Sequence, residues 1–265
     1  MIEQKIRQRL KSIRCFVLDM DGTIYLGDRL FPFTKGFLRK AETVGKKVIF
    51  FTNNSSRSGT DYVEKLSRMG IRVAPERMLT SGQVTAAYLR REYPGKGVFV
   101  QGTPALRREL EEQGVPLEEE HPQVVVLGFD TTMEYDRLRK TCDLVRAGLP
   151  YLGANPDLNC PVEGGWMPDC GSIARLIEGS TGRSPLFVGK PAGETLRFLL
   201  ERTGCREEEL AVVGDRLYTD IALTQGTAAL SILVMTGETT PEMLRHSEIQ
   251  PTITAASLEE IGTYL

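Results

Sequence analysis

Short apolar runs rich in β-branched and aromatic residues alternate with longer helix-like patterns along the whole chain, and this alternation most narrows the fold. Strand-like runs fall at Ile13–Leu18, Lys47–Phe51, Val98–Val100, Val124–Phe129, Pro185–Val188, Leu210–Val213 and Leu230–Met235. Helical patterns separate them at Thr34–Val44, Thr60–Met69 (closed by Gly70), Gln83–Glu92, Glu134–Ala147, Ser172–Gly179 and Ala192–Thr203. Strands alternating with helices predict parallel sheets covered by helices, an α/β fold. At the usual domain size, 265 residues amount to about 1.8 domains, so one large domain or two modest ones are both open. The stretch Gly153–Gly171 is the most irregular, rich in Pro, Gly, Asn and Asp and holding the only tryptophan, Trp166. A loop of that length is either functional or a tolerated surface insertion.

Composition excludes several functions. Lys plus Arg number 33 against 35 Asp plus Glu, a net charge of −2. That balance leaves no electrostatic footprint for nucleic acid or an anionic membrane, so an anionic substrate would be held by a few placed cations. With only His121 and His246, histidine-rich metal centres are excluded. The five cysteines, Cys15, Cys142, Cys160, Cys170 and Cys205, form no C-x-x-C pair. They argue against a disulfide framework or a zinc ribbon and for a reducing, cytoplasmic setting. Cys160 and Cys170 read as plain thiols. Met1–Arg14 alternates charged and apolar residues, so no signal peptide is expected. No uncharged apolar run approaches the roughly 18 residues of a membrane span.

Four of the expected strands end in residues suited to phosphate or metal. They lead into Asp19-Met20-Asp21-Gly22-Thr23, Thr52-Asn53-Asn54, Gly189-Lys190-Pro191, and Gly214-Asp215-Arg216 with Asp220 just beyond. Ligands of open parallel sheets bind outside the carboxyl ends of the strands, which would gather these groups in one crevice. Each piece alone also suits a turn. The first string is not an EF-hand loop, whose glycine would fall at Ile24. Nor is Gly189-Lys190 a P-loop, since Ser184 stands where the upstream glycine belongs and Pro191 where the metal-binding hydroxyl belongs.

In this order and at these places, the four strings resemble the signature motifs of the haloacid dehalogenase superfamily, mainly magnesium-dependent phosphatases. Their context, DMDGTIYLG, FFTNNSSRS, VGKP and VGDRLYTDI, resembles the NagD-like, p-nitrophenyl phosphatase-type branch (subfamily IIA). The resemblance implies a Rossmann-like core domain over residues 1–80 and 185–265. It also implies an α/β cap domain inserted over 81–184 that sets substrate specificity.

By that resemblance, Asp19 is the nucleophile that forms an aspartyl-phosphate, and Asp21 is the general acid and then the base. Mg2+ would be held by Asp19, Asp215 and the backbone carbonyl of Asp21. Asp220 would lie outside the direct ligands, orienting a bound water or Lys190. Lys190, Thr52 and the backbone amide of Asn53 would hold the phosphoryl oxygens; the Asn53 side chain either contacts phosphate or terminates its strand. In the cap, Asn155 and Asp157 are candidate substrate contacts, with turn or capping roles as the alternative. The expected partner is a small phosphorylated metabolite, with no nucleic acid and no membrane, and a homo-oligomer stays open. Two other readings are a receiver-like phospho-acceptor and a catalytically silent phosphometabolite-binding homologue.

Overall fold

The computed structural model describes residues 2–162 and 164–265. In chain order its elements begin with α1 (Ile2–Ser12), β1 (Cys15–Leu18), β2 (Tyr25–Leu26), β3 (Arg29–Leu30), α2 (Thr34–Thr43), β4 (Lys47–Thr52), α3 (Gly59–Arg68) and β5 (Met78–Thr80). There follow α4 (Ser81–Glu92), β6 (Val98–Gln101), α5 (Pro104–Glu112), β7 (Val124–Leu127), α6 (Tyr135–Arg146), β8 (Tyr151–Gly153), β9 (Asn159–Val162), β10 (Gly165–Pro168) and α7 (Cys170–Thr181). The chain closes with β11 (Leu186–Phe187), α8 (Gly193–Thr203), β12 (Leu210–Gly214), β13 (Leu230–Val234), α9 (Pro241–His246), β14 (Ile253–Ala255) and α10 (Leu258–Tyr264). They form two compact units: Met1–Phe51, Val63–Leu79 and Leu196–Leu265 in the first, Thr52–Tyr62 and Thr80–Thr195 in the second.

The first unit is built on a sheet of order β14-β13-β12-β1-β4-β5. β1 pairs parallel with both β12 and β4, and β13 parallel with β12 and β14. All four residues of β1 and all five of β12 and β13 are buried, the mark of strands covered on both faces. From β1 the chain builds outward through β4 and β5 on one side and returns through β12, β13 and β14 on the other, so β1 stands at the topological switch point. Phe16 of β1 meets Phe37 of α2 edge to face at 5.5 Å, fixing that helix to the sheet. The Lys46 ammonium donates to the carbonyls of Leu10, Lys11 and Ile13, capping the C-terminal end of α1 where the helix dipole favours a cation.

The second unit has its own parallel sheet, of order β11-β8-β7-β6. Period-two alternation gives it two cores. Phe99, Val125 and Leu127 face α6 and α7 through Leu138, Val145, Ile173 and Ile177. Val98, Val100, Val124 and Val126 face α4 and α5 through Ala86, Leu89, Leu106 and Leu110. Buried Glu109 of α5 ties the chain's entries into this unit together. It accepts from the Gly59 N–H at 2.7 Å, the Thr80 hydroxyl at 2.8 Å and Gln83 Nε2 at 3.4 Å. Burial nevertheless raises its carboxyl above the usual range, those bonds opposing the shift.

Two expectations change here. The strand before Lys190 forms as β11, but it is an edge of the second sheet, paired to β8, rather than a strand of the first. Its seat is fitted by Gly153, where a Cβ would lie 2.4 Å from the Phe187 ring. The irregular Gly153–Gly171 stretch contains an antiparallel hairpin, β9 and β10, with Trp166 opposite Pro161 and exposed. Among the described residues no helix is long and apolar enough to cross a membrane.

Candidate active site

Parallel pairing puts Leu18 beside Val213, and the ladder continues one step as the Asp19 N–H donates to the Val213 carbonyl at 2.8 Å. Asp19 and Asp215 therefore leave neighbouring strands at the same sheet edge. Beyond β12 a π-helical turn, Leu217–Ile221, presents Asp220, whose carboxylate accepts the Arg216 N–H at 3.2 Å. One carboxylate oxygen from each of Asp19, Asp215 and Asp220 lies within 4.8 Å of the others.

Glycines make that gathering sterically possible. A Cβ on Gly22 would sit 2.4 Å from Asp215 Oδ2, one on Gly237 2.0 Å from the same atom, and one on Gly214 2.1 Å from Asp220 Cγ. Gly22 also holds φ at +84°, a region other residues resist. Its carbonyl accepts the Thr236 hydroxyl at 2.6 Å, and the Glu238 N–H donates to Asp215 Oδ2 at 2.7 Å. The 236–238 turn after β13 is thus a further strand end packed on the acidic cluster.

Electrostatically this cluster is unsatisfied. Burial pushes Asp215 well above the usual carboxylate range, and the neighbouring carboxylates of Asp19 and Asp220 push it further. Asp215 Oδ1 and Asp21 Oδ1 are buried without a hydrogen-bond partner. Two unit charges at 4 Å repel by about 4 kcal/mol at an effective dielectric of 20. An all-oxygen donor set carrying this repulsion suits a hard divalent cation such as Mg2+. Asp21 is raised by burial, against the pull of Lys65 and Arg216. The Lys65 ammonium lies over the Tyr25 ring at 4.1 Å and 3.6 Å from Asp28; Arg216 pairs with Glu238 at 2.9 Å.

The other motif residues belong to the second unit, where Thr52, Asn53 and Lys190 come together with Asn155 and Asp157. Thr52 Oγ1 accepts the Asn54 N–H at 3.1 Å. The Asn53 amide spans the Lys190 backbone: its Oδ1 accepts the Lys190 N–H at 2.9 Å and its Nδ2 donates to the Lys190 carbonyl at 3.0 Å. Gly189 permits this close packing, since a Cβ there would meet the Ala154 carbonyl at 2.2 Å. Asn53 Nδ2 also donates to Asp157 Oδ2 at 2.7 Å, and Asn155 Nδ2 donates to the same oxygen at 3.0 Å. Asn155 further donates to Asp169 and accepts from Ser55, each at 3.0 Å; Asp169 caps α7 through the Cys170 N–H.

Asn155 and Asp157 are 0% and 2% exposed, and their polar groups hydrogen-bond Asn53 and Asp169, the cap of α7. Arg216 and Ser55 stand inside the motif strings without a role assigned to them there, and Thr236-Gly237 directly follows an expected strand; Lys65, Glu238 and Asp169 carry no such signal.

Comparisons with known proteins identify the family. Residues 16–116 match the haloacid dehalogenase-like hydrolase family, and residues 187–261 match the HAD-hydrolase-like family. An acid sugar phosphatase of Staphylococcus aureus is 33% identical over 252 residues, 95% of this chain and 97% of its own length. The chain belongs to the haloacid dehalogenase-like hydrolases. Among solved structures of this family, a 4-nitrophenylphosphatase from Thermotoga maritima superposes with a TM-score of 0.92 at 44% identity, covering 96% of this chain and 98% of that one. NagD from E. coli gives 0.86 at 29% identity, covering 94% and 98%. These likenesses place the haloacid dehalogenase fold of this chain in the NagD-like branch.

Proposed function

We propose that this hydrolase is a magnesium-dependent phosphatase that cleaves small phosphate monoesters through an aspartyl-phosphate on Asp19. The observation that carries the reading is the Asp19, Asp215 and Asp220 cluster, with repelling charges and a buried Asp215 oxygen left without a partner. Asp19, Asp215 and the Asp21 carbonyl would hold Mg2+, with Asp220 beside them. When bound, the ion neutralises these carboxylates and the phosphoryl group.

An Asp19 oxygen attacks phosphorus in line, and the bond from phosphorus to the ester oxygen breaks. Asp21, whose raised carboxyl favours the protonated form, gives its proton to the departing oxygen. The resulting Asp21 carboxylate then takes a proton from water, whose oxygen attacks phosphorus and releases inorganic phosphate and free Asp19. Lys190, Thr52 and the Asn53 backbone amide hold the phosphoryl oxygens. Asn155 and Asp157 keep Asn53 in place, so that Asn53 fixes the Lys190 backbone.

The β9–β10 hairpin is our candidate for reading the leaving group. Its base touches the motif loop, Asn54 Nδ2 to Cys160 Sγ at 3.5 Å, while Val162, Trp166 and Met167 remain exposed along it. The names of the relatives, acid sugar phosphatase and 4-nitrophenylphosphatase, suggest sugar phosphates and aryl phosphates as first substrates. A cytoplasmic metabolite, rather than nucleic acid or membrane, remains the expected partner.

The test is phosphate release from a panel of sugar and aryl phosphates, with Mg2+ and with chelator. Release that requires the metal supports the reading. Accumulation of a lasting phosphoprotein would favour a phospho-acceptor instead, and binding without any turnover would favour a silent homologue.

A further inference from the structure

Two backbone N–H groups of the first unit hold one oxygen each of two clustered carboxylates. β12 and β13 run parallel with Gly214 opposite Leu233, so the residues after them leave the same sheet edge. After β13, the Glu238 N–H donates to Asp215 Oδ2 at 2.7 Å. The backbones of Gly22 and Gly237 press on that same oxygen, where their Cβ atoms would lie 2.4 and 2.0 Å away. After β12, the Arg216 N–H donates to Asp220 Oδ2 at 3.2 Å. The two donor residues are joined to each other. Arg216 Nε meets Glu238 Oε2 at 2.9 Å, with the side chains 14% and 22% exposed, and the Tyr218 hydroxyl donates to the same Oε2 at 3.3 Å. Thr236 bonds the Gly22 carbonyl and Thr239 the Asp215 carbonyl, which fixes the 236–239 turn at both ends. Asp215 Oδ1, by contrast, is buried without a partner.

We propose that the Arg216–Glu238 pair is a cation-selectivity clamp, which leaves Asp215 one oxygen to offer and so favours Mg2+ over Ca2+, an inference that rests on the Mg2+ reading above. Ca2+ gathers roughly six to eight oxygens and commonly takes both oxygens of a carboxylate, whereas Mg2+ holds to an octahedron that single carboxylate oxygens suit. Asp215 cannot turn both oxygens to one cation while Oδ2 is held by the Glu238 N–H and covered by two glycine backbones. Asp220 is restrained in the same way by the Arg216 N–H. Groups that hold a ligand from outside set its orientation and through it the metal affinity. Breaking the ion pair loosens the 236–239 turn and the Arg216 backbone together, and both carboxylates gain room to rotate.

Charge and geometry separate cleanly here. Removing the Arg216 cation beside the cluster strengthens the attraction for both divalent ions alike. The ratio of the two affinities therefore reports geometry, which a general electrostatic or structural role would not move.

The test is calorimetric titration of metal-stripped full-length protein with MgCl2 and, separately, CaCl2, with melting in chelator to show that each variant is folded. Wild type should prefer Mg2+. Arg216→Ala and Glu238→Ala should each lower the Mg2+-to-Ca2+ affinity ratio by about 10-fold. The double variant should lower it no further, since either substitution breaks the same link. Arg216→Lys, which keeps a cation for Glu238, should retain most of the preference. Equal affinity for both ions in wild type, or affinities that shift in equal proportion in the single variants, would overturn the clamp while leaving Mg2+ binding in place. Wild type that binds no Mg2+ would overturn the metal reading and the clamp together.

Discussion

Asp215 in the first unit and Asp157 in the second are both 2% exposed, yet their surroundings oppose each other. Asp157 accepts from two side-chain amides, those of Asn53 and Asn155. Asp215 faces two other carboxylates, is pushed up by them and by its burial, and keeps one oxygen without a partner. A buried carboxylate with amide donors organises its neighbours and needs nothing more. One held among like charges stores a repulsion that a cation would relieve. The difference teaches which cluster calls for a cation and which is already satisfied within its own unit.

That contrast can be broken most severely at Asp19. Asp19→Asn is nearly isosteric and should lower turnover by at least about 10⁴-fold, since the proposed nucleophile is lost. The metal-free variant should melt higher than metal-free wild type, because one of the repelling charges is gone. Steady-state kinetics and calorimetry together check both parts; wild-type turnover would remove Asp19 from its role.

Asp157→Asn attacks the satisfied cluster of the second unit. It sets an amide against Asn53 Nδ2 and Asn155 Nδ2, so Asn53 loses its anchor. We expect kcat/KM to fall about 10²-fold through misplacement of Lys190, and stability to fall by about 1–3 kcal/mol from unpaired buried donors. The signs on metal-free stability are thus opposite for the two substitutions. A fall in stability with unimpaired kcat/KM would reduce Asp157 to a structural residue.

The pH dependence sharpens the same difference. Asp215 titrates higher in the folded protein than unfolded, so between those two values the native state holds a proton that the unfolded state has released. Metal-free stability should therefore fall as pH rises from about 4 through the folded value, and level off above it. Asp215→Asn should lose this component, which melting curves of both proteins across pH would reveal. Parallel curves would contradict the assignment.

The smallest effect concerns an orphan hydroxyl elsewhere in the second unit. Tyr151 Oη is buried in the core without a partner. Tyr151→Phe should stabilise the protein by about 1 kcal/mol without altering turnover, as removal of an unsatisfied polar group does. Denaturant melts measure it; destabilisation would show that the hydroxyl has a partner in solution.

The strands that build both sheets were legible because buried parallel strands are continuous apolar runs, as in Val124–Leu127 and Leu210–Gly214. The motif residues were legible because each acidic or polar group directly follows such a run. β11 was readable as a strand but not as part of the second sheet, since pairing partners are set by long-range packing against β8. The hairpin β9–β10 was hidden by its Pro, Gly and Asn content and by its exposed strands, which show no alternating apolar face. Lys65 lies in the last turn of α3, where a cation ordinarily just answers the helix dipole. Asn155 and Asp157 look like turn formers in sequence; only the fold shows that they are buried against Asn53.

The account rests on the acidic cluster requiring a divalent cation, and the most direct measurement is the melting of chelated protein titrated with Mg2+. A ligand at 100 times its Kd stabilises by about 2.7 kcal/mol, so wild type should rise steeply in melting temperature while Asp215→Asn stays flat. Equal responses in the two proteins, or none in wild type, would contradict it.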